Sequence, residues 1–389
     1  MKLDYLDPVL HETGPWASVY FGTARATQDA TQRQELQARG VCERLAGQGA
    51  DDATCRAVYD GLAVSTPDRA GQALFATGGR VRLAVPLATA PPAPESCWTA
   101  LPHITPLLDY AGGGEAACLV AYIDRTGADL DLWDVGGRHP AGQVRGRDWP
   151  VHRTPSSDWS ERHFQLAVEN TWEENAAVIA AAMTSAAERT GAELLLLAGD
   201  PRERRAVHDR LPPQLRAGAV ETDRSGRAAG ADRGPAVAEA DRLREEYGQE
   251  VAREVLEQFR AARVPADGRV GAAEGVPALV DAAREHRIDT LLVRSGGTDL
   301  HRDVWVGSEP DQLAERRTET AYLGDTRPAA ARADDALLRS ATAADAEVVH
   351  LPDGDRGGPG SDVPVGGLGA LLRWPYEGGI PGGGLPPAV

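Results

Sequence analysis

The chain reads as an α/β protein of three units, and three patterns predict this. Short strand-like runs with period-two alternation stand beside long runs whose apolar residues recur at steps of three and four. In the middle of the chain a hairpin is followed by helix, strand and helix, which indicates a mixed sheet covered by helices. Helix and strand alternate again towards the C-terminus, at a spacing that fits a compact α/β/α sandwich of about 100 residues. The length of 389 residues agrees with two or three domains, and 42% hydrophobic with 25% charged residues is a globular composition.

The first unit spans residues 1–112. Residues 15–21 (P-W-A-S-V-Y-F) are strand-like, and 31–45 form a polar helix with Leu36, Val41 and Leu45 on one side. Residues 51–62 form a second helix, with Asp51 or Asp52 as N-cap. Two short strands, 73–75 and 81–85, flank Thr77-Gly78-Gly79-Arg80, a hairpin signal. The glycine pair could approach a phosphate closely, but a plain turn is the favoured reading. Pro-rich stretches at 90–94 and 101–106 close the unit, and Gly112-Gly113-Gly114 reads as a linker.

The middle unit, 113–266, opens with strands 117–124 and 128–135 joined at Arg125-Thr126-Gly127. A basic loop, 136–163, comes next. It leads into a long helix with Phe164, Val168, Trp172, Ala176, Ile179, Met183 and Ala186 on one face. Residues 193–198 are a buried strand, and Gly199-Asp200-Pro201 opens a helix to 210, where Asp200 is better explained as an N-cap than as an anion seat. After a turn and short strand at 211–220, a charged helix at 234–263 carries the stripe Leu243, Tyr247, Val251, Val255 and Phe259.

The third unit, 267–375, places Val276, Leu279, Val280 and Ala283 on one face of a helix at 274–287, followed by a strand at 288–293. A helix at 333–344, a strand at 347–351, a Gly/Asp-rich turn at 353–362 and a strand at 369–374 complete it. The Gly/Pro-rich tail, 376–389, is expected to be disordered.

Charge singles out the basic loop. Between positions 138 and 163 stand Arg138, Arg145, Arg147, Arg153 and Arg162 against Asp148, Asp158 and Glu161, five against three, while the whole chain carries 41 basic and 58 acidic residues, net −17. Such a reversal suggests a place that meets phosphate; the alternative is a solvated loop whose arginines pair with the protein's own acids. The overall acidity argues against general coating of nucleic acid, so contact with RNA or DNA must be local. Lys2 is the only lysine, which reads as composition bias first and phosphate chemistry second.

Cys42, Cys55, Cys97 and Cys118 lie far apart without a C-x-x-C pair, so neither zinc knuckle nor disulfide framework is indicated. The N-terminus lacks the apolar run of a signal peptide and no stretch reaches about 18 apolar residues. A soluble, cytoplasmic protein without membrane contact is therefore expected. Motifs for zinc proteases, P-loops and serine hydrolases are missing, so no catalytic, metal or cofactor residue is assigned and no small-molecule substrate is evident. His152 and His163 make an unconvincing metal pair and better donors to an RNA backbone.

The hairpin, loop and long helix of 117–190, the stretch 268–293, and the strand 347–351 followed by Gly366-Gly367-Leu368-Gly369-Ala370-Leu371-Leu372-Arg373-Trp374 together resemble one family. It is the archaeo-eukaryotic class-one peptide release factors with Pelota, in their bacterial branch of Balon-like ribosome hibernation factors. The resemblance covers roughly 115–375 and implies an RNase H-like middle domain and a C-terminal domain like ribosomal protein L30e. In release factors the middle-domain loop ends in Gly-Gly-Gln, which positions water against the ester of peptidyl-tRNA. Here the corresponding turn is Thr154-Pro155-Ser156-Ser157-Asp158-Trp159, and Ala141-Gly142-Gln143 lies on the other arm of the loop. Ser157 or Asp158 could orient a water, but a negative side chain beside a tRNA terminus is unhelpful.

The resemblance, less the glutamine, implies a ribosome-associated factor of stress or hibernation type that occupies a ribosomal site without peptide release. Arg138, Arg145, Arg147, His152, Arg153, Arg162 and His163 are its candidate rRNA contacts, and Trp149 and Trp159 could either stack on bases or pack the loop base. By analogy a translational GTPase is a possible partner. Two alternatives stay open: a peptidyl-tRNA hydrolase or rescue factor with a substitute catalytic loop, and a protein-binding adaptor that does not engage ribosomes.

Overall fold

A computed structural model describes residues 4–10, 14–23, 30–63, 70–110, 116–147, 158–228, 230–264, 268–324, 327–351 and 363–377. The predicted linker at 112–114 and turn at 353–362 lie outside them. The chain is mixed α/β, as the periodicities predict, and divides into two compact units: Gly113–Gly248, and Met1–Gly112 together with Gln249–Val389. No helix among the described residues is long and apolar enough to cross a membrane.

A short helix α1 (Asp7–Leu10) precedes strand β1 (Trp16–Gly22), which is buried almost throughout. Helices α2 (Ala30–Gly47) and α3 (Asp52–Ala63) come after it, with the Asp51 side chain accepting from Thr54 N at 2.8 Å as the predicted N-cap. Strands β2 (Gly71–Thr77) and β3 (Arg80–Leu87) turn at Gly78 and Gly79, whose φ values of 55° and 74° a side chain would resist. Two further elements are unpredicted: β4 (Glu95–Thr99), between the Pro-rich stretches, and α4 (Thr105–Tyr110), which begins at the end of the second. The sheet runs β3-β2-β1-β4, and Val19, Phe21 and Leu74 pack on Val41, Leu45, Val58 and Leu62. Leu36, expected on that packed side, is 60% exposed.

In the middle unit, β5 (Cys118–Asp124) and β6 (Gly127–Asp134) form the predicted hairpin. The first part of the predicted loop is instead a third strand, β7 (Gly137–Arg145), antiparallel to β6. Its sequence conceals this because it lies at the sheet edge, where a proline is tolerated, and a bulge between Gly142 and Pro140 leaves Ala141 without a partner on β6. Helix α5 (Asp158–Thr190) leads to β8 (Leu194–Gly199), α6 (Pro201–His208), α7 (Pro213–Ala217) and β9 (Ala219–Thr222); α7 replaces the turn expected there. Asp200 caps α6 by accepting from Arg202 N at 3.0 Å.

The sheet order is β7-β6-β5-β8-β9, with β5, β8 and β9 parallel. Alternate residues of β5 feed two cores. Leu119, Ala121 and Ile123 meet Ala176, Ile179, Met183 and Ala186 of α5, while Cys118, Val120 and Tyr122 meet Ala236 and Ala240 of helix α8 (Gly234–Ala262). A central strand covered on both faces needs this continuous apolar character. In α8, Tyr247 is 40% exposed and Arg244 takes a fully buried place, donating from Nε to Ala116 O at 2.8 Å. The predicted apolar stripe therefore fails at Tyr247, because a guanidinium can be buried where a carbonyl receives it and a carboxylate balances its charge, here Asp241 at 3.7 Å.

Beyond it come β10 (Arg269–Glu274), α9 (Val276–Arg284), β11 (Ile288–Arg294), β12 (Asp303–Val306), β13 (Leu313–Ala314), α10 (Arg317–Thr320), β14 (Ala329–Arg332), α11 (Ala333–Ala343), β15 (Glu347–Leu351) and β16 (Leu368–Glu377). One sheet is β10-β16-β11-β15 and a smaller one β13-β12-β14. Tyr376 and Glu377, expected in a disordered tail, pair with Val270 and Arg269 as the end of β16.

The glycine run before β16 has a packing reason. Asp299 N donates to Gly366 O at 2.9 Å, Gly366 and Gly367 have φ of 72° and 90°, and a Cβ on Gly297 would stand 2.6 Å from the Gly367 Cα. Gly297→Ala should therefore destabilise the protein by about 1–3 kcal/mol through overpacking, read as a lower urea midpoint. An unchanged midpoint would show that the two loops separate freely.

Candidate nucleic-acid interface

The arm is built on β7 and α5, and one buried amide joins them. Asn175, 3% exposed on α5, accepts from Arg147 N at 2.7 Å and donates from Nδ2 to Arg125 O at 2.9 Å and Arg147 O at 3.2 Å. Gly146 passes so close that any Cβ there would overlap the Asn175 side chain, and its N–H donates to Thr126 O at 2.7 Å. The end of β7, the β5–β6 turn and α5 thus meet at one side chain. Sequence patterning missed Asn175, since a single polar residue in a helix gives no periodic signal.

Two basic residues emerge from this junction. Arg145 is exposed, and no acid is paired with it among the described residues. Arg147 pairs with Glu174 at 2.8 Å, with side chains 79% and 57% exposed. Exposed pairs of this kind are worth little, so phosphate can displace Glu174 at small cost. Arg138 stands seven positions before Arg145 on the strand, about 23 Å away, and is committed to Asp131 through Nε at 2.9 Å and Nη2 at 2.8 Å. It belongs to a network in which Arg233 meets Asp129 at 2.7 Å and Arg227 meets Asp129 at 2.9 Å and Asp124 at 3.1 Å. Burial pushes the Asp129 carboxyl up, but hydrogen bonds from Arg227, Gln143 and Arg233 outweigh it and hold it below the usual range.

Arg162 and His163 fall in the first two turns of α5, while Trp149, His152 and Arg153 lie outside the described residues. Gln143 is a strand residue opposite Asp129 and donates to its Oδ1 at 3.1 Å, so Ala141-Gly142-Gln143 serves the bulge and the ladder. Beside the junction, Arg125 lies over the Trp172 ring at 4.7 Å and donates to Glu203 at 2.8 Å.

The other unit holds two polar clusters that sequence reading did not assemble, because their members come from distant elements. Ser295 Oγ lies 2.9 Å from His350 Nε2 and 2.5 Å from Asp109 Oδ1, which is itself 3.0 Å from the same Nε2. A hydrolytic triad needs the carboxylate on the other ring nitrogen, so this trio ties α4 to the ends of β11 and β15 rather than activating Ser295. Burial raises the Asp109 carboxyl, yet hydrogen bonds from His350 and Ser295 bring it below the ordinary range.

The second cluster is His103, Asp334 and Asp335, whose ligand-type atoms all lie within 4.8 Å of one another. Both carboxylates are already occupied. Arg332 grips Asp334 at 3.0 and 2.6 Å, Thr105 Oγ1 donates to Asp334 at 2.9 Å, and Ile104 N and His103 Nδ1 meet Asp335 at 2.9 and 3.0 Å. The donor set fits a buried polar knot and not a metal centre. Burial opposes the His103 charge, but Asp335 outweighs it and raises the imidazole above its usual value.

A folded-state pKa above the unfolded one gives stability that is complete below the unfolded value, about 6.5, and is lost as pH rises through the folded value. The stability gap between wild type and His103→Gln should therefore be wider at about pH 6 than at about pH 9. Equal gaps in chemical denaturation would count against an ionised pair. For the arm, Asn175→Ala should cost about 1–3 kcal/mol by leaving three backbone groups unpaired. Faster amide exchange at Gly146 and Arg147 should accompany it; unchanged exchange would deny Asn175 its clamping part.

Residues 117–264 match the model of bacterial archaeo-eukaryotic release factor family 2. Along the whole length the chain is 27% identical over 379 residues to the uncharacterized protein Rv2629 of Mycobacterium tuberculosis strain H37Rv, covering 96% of this chain and 97% of that one. Among solved structures it is similar to ribosome-bound archaeal Pelota, solved with ABCE1, at 14% identity, TM-score 0.38 and coverage of 96% and 94%. Pelota of Archaeoglobus fulgidus gives 14% identity, TM-score 0.34 and coverage of 79% and 80%.

Proposed function

We propose that this protein is a ribosome-associated stress or hibernation factor that occupies a ribosomal site through rRNA backbone contacts and does not release peptide. The observation that carries the reading is a release-factor-family segment whose helix-proximal turn has no Gly-Gly-Gln, while Arg145 and Arg147 remain at the end of β7. Without the glutamine the group that positions water against the ester in release factors is missing, whereas guanidinium groups still suit phosphate.

Arg145 and Arg147 lead the contact set, with Arg153, His152, Arg162 and His163 carried by the next stretch of chain and Arg138 at the far end of the strand. In this reading the unit around β5 is RNase H-like, the layers around β11 are L30e-like, and the domain limits are 1–112, 113–266 and 267–375. The C-terminal domain meets a translational GTPase, and the protein works in the cytoplasm.

Cosedimentation with ribosomes tests this. Binding should be strong at low salt and fall steeply as salt rises, and Arg145→Glu with Arg147→Glu should reduce the log-log slope by about two, one for each guanidinium withdrawn from a phosphate. Absence from the ribosomal pellet at low salt would favour the adaptor reading. Peptide release from stalled complexes, abolished by Asp158→Ala or Gln143→Ala, would replace the proposal with the hydrolase.

A further inference from the structure

We propose that the cleft between the β1–β4 layer and the β12–β14 layer binds a small organic phosphate of nucleotide size. Both layers belong to one compact unit, and the cleft has a volume of about 720 Å³, bounded by Pro15, Trp98, Leu101, Val306, Arg327 and Arg339.

Arg339 is the residue that calls for a ligand. Its side chain comes from α11 and is 2% exposed, yet no carboxylate pairs with it among the described residues. Three backbone carbonyls hold it: Leu10 O at 3.2 Å, Gly307 O at 3.1 Å and Ser308 O. A guanidinium has five N–H donors, so two are left over. Glu309 and Asp311 act on it only through space. Carbonyl dipoles reduce but do not cancel a buried positive charge, which is costly without a counter-ion. Consistently, burial lowers the Arg339 pKa despite those two acids.

The cleft supplies room for an anion, and its walls say what kind. Ligand sites for small molecules span about 300–1,000 Å³ and combine apolar walls with few polar groups. Inorganic phosphate would leave most of this volume empty. Pro15, Leu101, Val306 and the half-buried Trp98 provide apolar and aromatic surface for an organic body, with a second guanidinium, Arg327, on the same wall. The competing account is that Arg339 merely pins Leu10 to the β12–β13 turn.

Calorimetric titration of the full chain with phosphate, pyrophosphate, AMP and GDP separates the two. One-to-one saturable binding of a nucleotide, at least about tenfold tighter than phosphate, is expected. Ala329→Glu introduces a carboxylate at an exposed position on the cleft wall, and should weaken that binding at least about tenfold without lowering the melting temperature. Arg339→Lys should weaken it too; if that variant does not fold, Ala329→Glu decides alone. No saturable heat with any of the four, equal affinity for phosphate and nucleotides, or an unaffected Ala329→Glu variant would overturn the assignment.

Discussion

The arm depends on the amide of Asn175. Its three hydrogen bonds join β7, the β5–β6 turn and α5, and they do so in a place that water does not reach. A buried amide with both N–H groups and its oxygen engaged is directional in a way that the apolar face of α5 is not. Ala176, Ile179 and Met183 fix which side of the helix faces the sheet, but a small rotation would cost them little. The amide sets where β7 ends against the helix, and so where Arg145 and Arg147 leave the fold. Gly146 is the matching constraint, because no side chain fits where the backbone passes Asn175.

The charge of the middle unit is sorted by burial. Asp124, Asp129 and Asp131 gather Arg138, Arg227 and Arg233 into a partly buried network whose partners are mutually satisfied. At the other end of β7 the pairing is loose and exposed. One strand therefore carries a structural arginine at its start and exchangeable ones at its end, although the sequence writes them as one basic run. Ionic strength acts strongly only on the second kind.

The second unit is held by polar contacts between residues remote in sequence. His103 and Thr105 meet Asp334 and Asp335 across more than two hundred positions, and Asp109 meets Ser295 and His350 over a comparable span. Such knots have specific donor and acceptor matches, and this gives the N-terminal and C-terminal layers one defined mutual arrangement. Arg339 is the exception within the same region, held by carbonyls alone, without a carboxylate partner among the described residues, beside an open cleft.

Local pattern alone determined the α/β class, the β1–β2–β3 layer, the β5–β6 hairpin, the α5 face, the caps at Asp51 and Asp200, and the strands β11, β15 and β16. These arise from periodicity and turn chemistry, which act over a few residues. Only the tertiary structure decided that Gly137–Arg145 is a strand, that Arg244 is buried while Tyr247 is exposed, and that Asn175 rather than an arginine organises the arm. It also brought together the clusters at His103 and Ser295 and the cleft at Arg339. An edge strand, a buried ion and a long-range hydrogen bond each depend on what the rest of the chain places beside them, and no window of neighbouring residues contains that information.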